Sequence, residues 1–247
     1  PFIMHKTLHT YGLGESRVSE RLTDFEHSLP DSIKLAYLPS YGRVRLRLTA
    51  RGVEEKPLKS NLDEKVTQLK DLVKDIYVGE EENTSIERSL NELLSIRKLT
   101  LSMAESCTGG NISKMITSIP GASNFLKGAL VAYNAEVKTK LLGVEEELIT
   151  THSVVSREVA MDMALRCQKL FATDYAVATT GNAGPTTDET DKTVGVVIIG
   201  IASPSGVYAE EFFFGKPRAK VIERASVKAL ELLRKEILKN SVNSLSD

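Results

Sequence analysis

The sequence predicts an α/β protein in two parts, a small α/β domain followed by an α/β/α layered domain with a mixed sheet. Three observations carry this expectation. Apolar residues switch repeatedly between alternation and helical spacing. The polar, acidic run GEEENTS (Gly79 to Ser85) separates two different patterns of elements. Beyond it, strands alternate with helices until two long strands follow one another, which calls for a sheet covered by helices with an antiparallel portion.

The elements are read in order. Phe2 to Tyr11 is a strand. The chain opens in mid-strand at Pro1, which suggests a piece of a longer protein. A helix over about Gly14 to Leu29 carries Val18, Leu22 and Phe25 on one face. Pro30-Asp31 breaks it, and IKLAYLPS, the turn Tyr41-Gly42 and RVRLRLTARG form a hairpin. A helix from Ser60 to Lys74 places Leu62, Val66, Leu69 and Val73 together. After the acidic run come a helix (Ile86 to Ile96), a strand (Leu99 to Ala104), a Gly-rich turn and a helix to Ile119. A strand (Gly128 to Tyr133) leads to a helix starting at Ala135, then a helix from Ser156, an N-cap candidate, to Ala172. Strands YAVATT, TVGVVIIGIAS and VYAEEFFFG precede a last helix, Arg218 to Leu238. The expected division is residues 1–79 and 80–247.

Composition narrows the function classes. The 247 residues carry 32 Lys+Arg against 33 Asp+Glu, so bulk charge drives the chain onto neither nucleic acid nor an anionic membrane. Two distant Cys make no disulfide framework and suit a reducing, cytoplasmic setting. No apolar run reaches the length of a membrane span, and the first residues lack a signal-peptide pattern.

Four constellations stand where strands end and helices begin. In AESCTGG, Ser106 and Thr108 sit on a strand-to-helix turn, at the sheet edge where ligands bind in such folds. The amides that follow, with Gly109 and Gly110, can face an anion, while the same hydroxyls would also serve as plain helix caps. In YNAEVK, Tyr133 and Lys138 stand at a second such junction; Lys138 would also suit a solvated helix face. TTGNAGP, with Thr180, Gly181 and Gly184, reads as a ligand loop or a connecting turn. GKPR opens the last helix with Arg218, a cation at an end that favours anions, as expected if it meets a phosphate. His5 and His9 are on a strand without accompanying ligands, so no metal site is expected. Cys167 reads as a core residue, and Cys107 as a residue packed beneath the turn, with a nucleophile next to Ser106 as its alternative. Arg43, Arg45 and Arg47 share one strand face, a solvated face or a contact for nucleic-acid phosphates.

Together AESCTGG, VAYNAEVKTKLLGV, ATTGNAGP, KTVGVV and GKPRAKVIERA resemble the carboxy-terminal domain of the CinA competence/damage-inducible family, the nicotinamide mononucleotide deamidases, over about residues 86–238. HKTLHTYGLGES and IKLAYLPSYGRVRLRL are similar to the KH-like middle domain of full-length CinA proteins. Those proteins begin with a MoaB-like domain, to which an ADP-ribose pyrophosphatase activity is attributed, and nothing here matches it. The KH label is structural, because the stretch lacks a G-x-x-G loop. Thr193 stands where the family often has Pro.

The resemblance implies hydrolysis of the carboxamide of nicotinamide mononucleotide to nicotinate mononucleotide and ammonia, in pyridine nucleotide recycling. Ser106 falls on the proposed nucleophile of the family motif, and Tyr133 and Lys138 on the Tyr and Lys of its Y-x4-K motif; the expected mechanism is acyl transfer, with Lys138 taking the serine proton and Tyr133 relaying or orienting it. Amides at Thr108, Gly109 and Gly110 would hold the oxyanion. Thr180, Gly181, Gly184 and Arg218 would fix the phosphoribosyl part. No cofactor and no metal are implied, and a homodimer is favoured. Two rivals stand: an amidohydrolase for another small amide, and an adaptor in DNA uptake or damage response that uses the Arg43 to Arg47 strand.

Overall fold

The computed structural model describes residues 1–40, 42–80, 84–187 and 192–243. Tyr41 of the expected hairpin turn and residues 81–83 of the expected linker lie outside them. The chain divides into two compact units, residues 1–89 and 90–247.

In the first unit, β1 (Phe2–Tyr11), α1 (Glu15–His27), β2 (Ile33–Ser40), β3 (Arg43–Gly52), α2 (Glu55–Leu72) and β4 (Tyr77–Gly79) build an antiparallel sheet of order β2-β3-β1-β4. Alternation decides the faces. Val44, Leu46, Leu48 and Ala50 of β3 are buried with Leu8, Val18, Leu22, Leu62, Val66 and Leu69, which places α1 and α2 on that face. Two features differ from the sequence reading. Helix α2 starts at Glu55 rather than Ser60, because Pro57 falls in the first turn, where a missing N–H breaks no helical hydrogen bond. Strand β4 spans three residues, too few to show alternation.

Helix α3 (Ile86–Arg97) leads to the second unit: β5 (Leu101–Glu105), α4 (Asn111–Thr117), a 3₁₀ turn (Ala122–Asn124), β6 (Leu126–Val131), α5 (Ala135–Lys140), α6 (Glu146–His152), α7 (Arg157–Phe171), β7 (Tyr175–Gly181), β8 (Val196–Ser203), β9 (Gly206–Phe213) and α8 (Arg218–Asn243). The sheet order is β6-β5-β7-β8-β9; β5 pairs in parallel with β6 and β7, while β7, β8 and β9 pair antiparallel. The expected mixed sheet is present. Ala176, Ala178 and Ala202 pack with Val159, Met163, Ala164 and Cys167 of α7. The intervening Val177, Ile199 and Ile201 are also fully buried, on the opposite face, where α8 and α4 pack together. Ser156 caps α7, its Oγ accepting from Val159 N (3.2 Å). Since β5, β6 and β7 are parallel, their carboxyl ends share one edge, which carries three of the constellations. Among the described residues, no helix is long and apolar enough to cross a membrane.

Candidate active site

The turn after β5 is built around a carboxylate. Ser106 N donates to Thr179 O (3.0 Å), extending the β5–β7 ladder by one step. Glu105 is fully buried. Its Oε2 accepts from Thr108 Oγ1 (2.7 Å), Gly110 N (3.0 Å) and Ile112 N (3.1 Å), and its Oε1 from Ser113 N (2.8 Å) and Ser113 Oγ (2.5 Å). A carboxylate at a helix N-terminus satisfies orphan amides and complements the dipole. Gly110 makes the turn possible at φ 92°, a left-handed conformation costly for other residues.

This changes the expected oxyanion site. Gly109 N donates to Ser106 O (3.0 Å) and Gly110 N to Glu105, so neither amide is available to a ligand. Among the described residues, no other residue takes the N–H of Cys107 or Thr108. The Thr108 hydroxyl is buried between Glu105 and Thr179 Oγ1 (2.8 Å), so it braces the turn and is not presented to a substrate. Nor is Ser106 a helix cap, since Glu105 holds that role.

Lys138 is 1 % exposed, on the first helix after β6. Asn134 opens that helix, its Oδ1 accepting from Val137 N (2.9 Å). Lys138 Nζ lies 2.9 Å from Ser106 Oγ, 2.9 Å from Ala132 O and 3.4 Å from Tyr133 O. Carbonyl oxygens only accept, so two of these contacts are N–H donations. The third suits either a further donation or acceptance of the Ser106 proton. The expected solvated alternative for Lys138 does not hold.

Tyr133 meets the serine differently from expectation. Its carbonyl oxygen, not its hydroxyl, approaches Ser106 Oγ (3.4 Å). The side chain is 57 % exposed, and its Oη accepts from Arg218 Nη2 (2.7 Å). Arg218 Nη1 donates to Gly184 O (2.8 Å). Arg218 thus ties three loops that are far apart in sequence. Gly181 serves packing: a Cβ there would lie 2.6 Å from Val196 O. Thr180 points away, its Oγ1 donating to Val154 O (2.8 Å), because it alternates with Thr179 along β7. Its assignment to substrate binding is not supported by that direction.

Cys107 is buried beside the serine. Burial pushes its thiol up to about 12. Such a group is a poor nucleophile at neutral pH. Among the described residues, no cluster of His, Cys, Asp or Glu is placed to hold a metal ion.

The sequence reading missed Glu105 and Thr179. A carboxylate just ahead of a glycine-initiated helix is the signal that points to Glu105; Thr179 sits in a run of two threonines, and only strand register tells which one faces the turn.

Residues 83–237 match the model of the CinA C-terminal domain and residues 5–79 that of the damage-inducible protein CinA KH domain. A "CinA-like protein" of Flavobacterium psychrophilum is 53% identical over 240 residues, covering 97% of this chain and 57% of the relative. A "Putative competence-damage inducible protein" of Caldicellulosiruptor saccharolyticus is 38% identical over 236 residues, covering 96% and 57%. The chain therefore spans little more than half the length of these curated relatives. Among solved structures, competence/damage inducible protein CihA from Agrobacterium tumefaciens aligns with a TM-score of 0.58 at 34% identity, over 60% of this chain and 91% of that one. The competence damage-inducible protein A of Klebsiella pneumoniae gives 0.60 at 27% identity, over 62% and 95%. With both family models matching in order and the relatives covering nearly its whole length, the chain belongs to the CinA family.

Proposed function

We propose that the second unit is a serine-dependent amidohydrolase that converts nicotinamide mononucleotide to nicotinate mononucleotide and ammonia. The observation that carries this reading is the 2.9 Å contact between Lys138 Nζ and Ser106 Oγ in a buried setting. Burial disfavours the charged form of an amine. A neutral Lys138 donates its two N–H groups to the carbonyls of Ala132 and Tyr133 and keeps its lone pair for the serine proton.

Ser106 Oγ attacks the carboxamide carbon as its proton passes to Nζ. The N–H groups of Cys107 and Thr108 hold the oxyanion, at the residues immediately after the nucleophile. Lys138 returns the proton to the departing nitrogen, the C–N bond breaks and ammonia leaves. Water, deprotonated by the same amine, then hydrolyses the acyl ester and frees Ser106 and the carboxylate product. Arg218 still has N–H groups beyond those given to Gly184 and Tyr133, and these bind the substrate phosphate. Tyr133 positions Arg218 and does not relay the serine proton. Glu105 and Thr108 hold the turn in shape.

The test is ammonia release from nicotinamide mononucleotide by the purified chain. Release that depends on Ser106 supports the reading. Release only from other carboxamides overturns the substrate, and no release from any carboxamide overturns the chemistry.

A further inference from the structure

The first unit holds a cluster that the deamidase reading leaves unused. In the β1–β3 ladder His9 lies opposite Arg45, Thr7 opposite Arg47 and Tyr11 opposite Arg43. Leu8, Val44, Leu46 and Leu48 alternate with these residues and fill the core, so the six project from the other face of the sheet. Arg43 donates from Nε to Ser40 Oγ (2.8 Å) and Arg47 from Nε to Thr7 Oγ1 (3.3 Å). Among the described residues, none of the three arginines forms an ion pair. Glu80, the nearby acid after β4, is engaged with Lys6 and Lys70. The Tyr11 hydroxyl at the end of this face is hydrogen-bonded with Arg43 and lies in the field of Glu87.

At the centre of this face, polar atoms lack partners. His9 is 2 % exposed, yet neither ring nitrogen makes a hydrogen bond, and the buried Arg45 Nε has none either. Burial holds the His9 imidazole below its usual range, and Arg43 and Arg45 add to that effect. Orphan polar atoms inside a protein are costly and rare, and three neighbouring guanidinium groups repel one another. One anion relieves both costs. Guanidinium forks fit a tetrahedral oxyanion, and the burial of His9 keeps a polymer backbone away from its ring.

We propose that this face is a binding site for a small phosphate-type oxyanion, held by Arg43, Arg45 and Arg47 with the His9 ring donating to it. The ion is either free phosphate or the phosphate of a small monoester. It offsets most of the cluster's charge and gives a partner to one His9 ring nitrogen and to Arg45 Nε.

The test is a titration of the full chain with inorganic phosphate at constant ionic strength, following the imidazole resonances by NMR. His9 is assigned by the signal lost in His9→Gln. The expected result is a saturable His9 shift below about 10 mM phosphate, weakened about tenfold or more in Arg45→Met. Arg43→Met replaces that variant if it does not fold. A nucleoside 5′-monophosphate that moves His9 at lower concentration than phosphate identifies a monoester as the ligand; equal or weaker binding identifies free phosphate. A shift that fails to saturate, follows sodium chloride, or persists unchanged in the arginine variant overturns the site. So does a response to a single-stranded oligonucleotide alone. The His9 signal reports on the first unit, so this outcome is independent of deamidation.

Discussion

Glu105 Oε2 lies 3.0 Å from Gly110 N, so the chain's own carboxylate, rather than a ligand, closes the start of α4. In the proposed mechanism the oxyanion donors are therefore the amides of Cys107 and Thr108. Every partner of Glu105 donates a hydrogen, and a glutamine there would turn a donor toward other donors. Glu105→Gln is therefore expected to destabilise the second unit by about 2 kcal/mol and to lower kcat in the folded fraction, with KM little changed. Thermal melting and steady-state kinetics check this together. Unchanged stability and unchanged kcat would show that the turn holds itself.

Arg218 reaches Gly184 and Tyr133 at the solvent edge, away from the bond-breaking pair. Arg218→Gln is expected to raise KM for nicotinamide mononucleotide by about tenfold or more, while leaving the apparent affinity for a dephosphorylated substrate unchanged. Tyr133→Phe removes only the hydroxyl that orients Arg218, so it should raise KM by less and keep kcat. A large kcat loss in Tyr133→Phe would restore the hydroxyl to the proton transfer.

Cys107 neighbours Ser106, the proposed nucleophile, but is shielded, with its thiol pushed up to about 12 from 9.0. At neutral pH neither the folded nor the unfolded chain ionises it. Between 9.0 and about 12 the unfolded thiol ionises while the folded one stays protonated, so stability falls as pH rises through that window. Iodoacetamide at pH about 8 is expected to leave activity intact until denaturant is added. Rapid inactivation of the native protein, with Cys107 alkylated, would move the nucleophile to the thiol.

Much of the fold was legible because periodicity reports which face is buried. RVRLRLTA alternates cleanly and forms β3, and the stripe Val159, Met163, Ala164, Cys167 marks the buried side of α7. What escaped was set by register or by very local geometry. The three residues of β4 carry no period, and α6 has no buried residue to mark it. At the site, motif order brought Ser106, Lys138, Tyr133, Gly184 and Arg218 to one sheet edge, but direction was invisible. Thr180 faces Val154 and Thr179 faces the turn because adjacent strand residues point oppositely. Glu105 was read as part of a motif, and its five hydrogen bonds emerge only once α4 folds back over it.

The central claim is that Lys138 draws the proton from Ser106 in a carboxamide hydrolysis. Ammonia release from nicotinamide mononucleotide, measured across pH for the wild type, Ser106→Ala and Lys138→Met, tests it most directly. The account predicts turnover by the wild type and a kcat at least about 10³-fold lower in each variant, with substrate still bound. Wild-type turnover that survives in Ser106→Ala or Lys138→Met to within about twofold would contradict it.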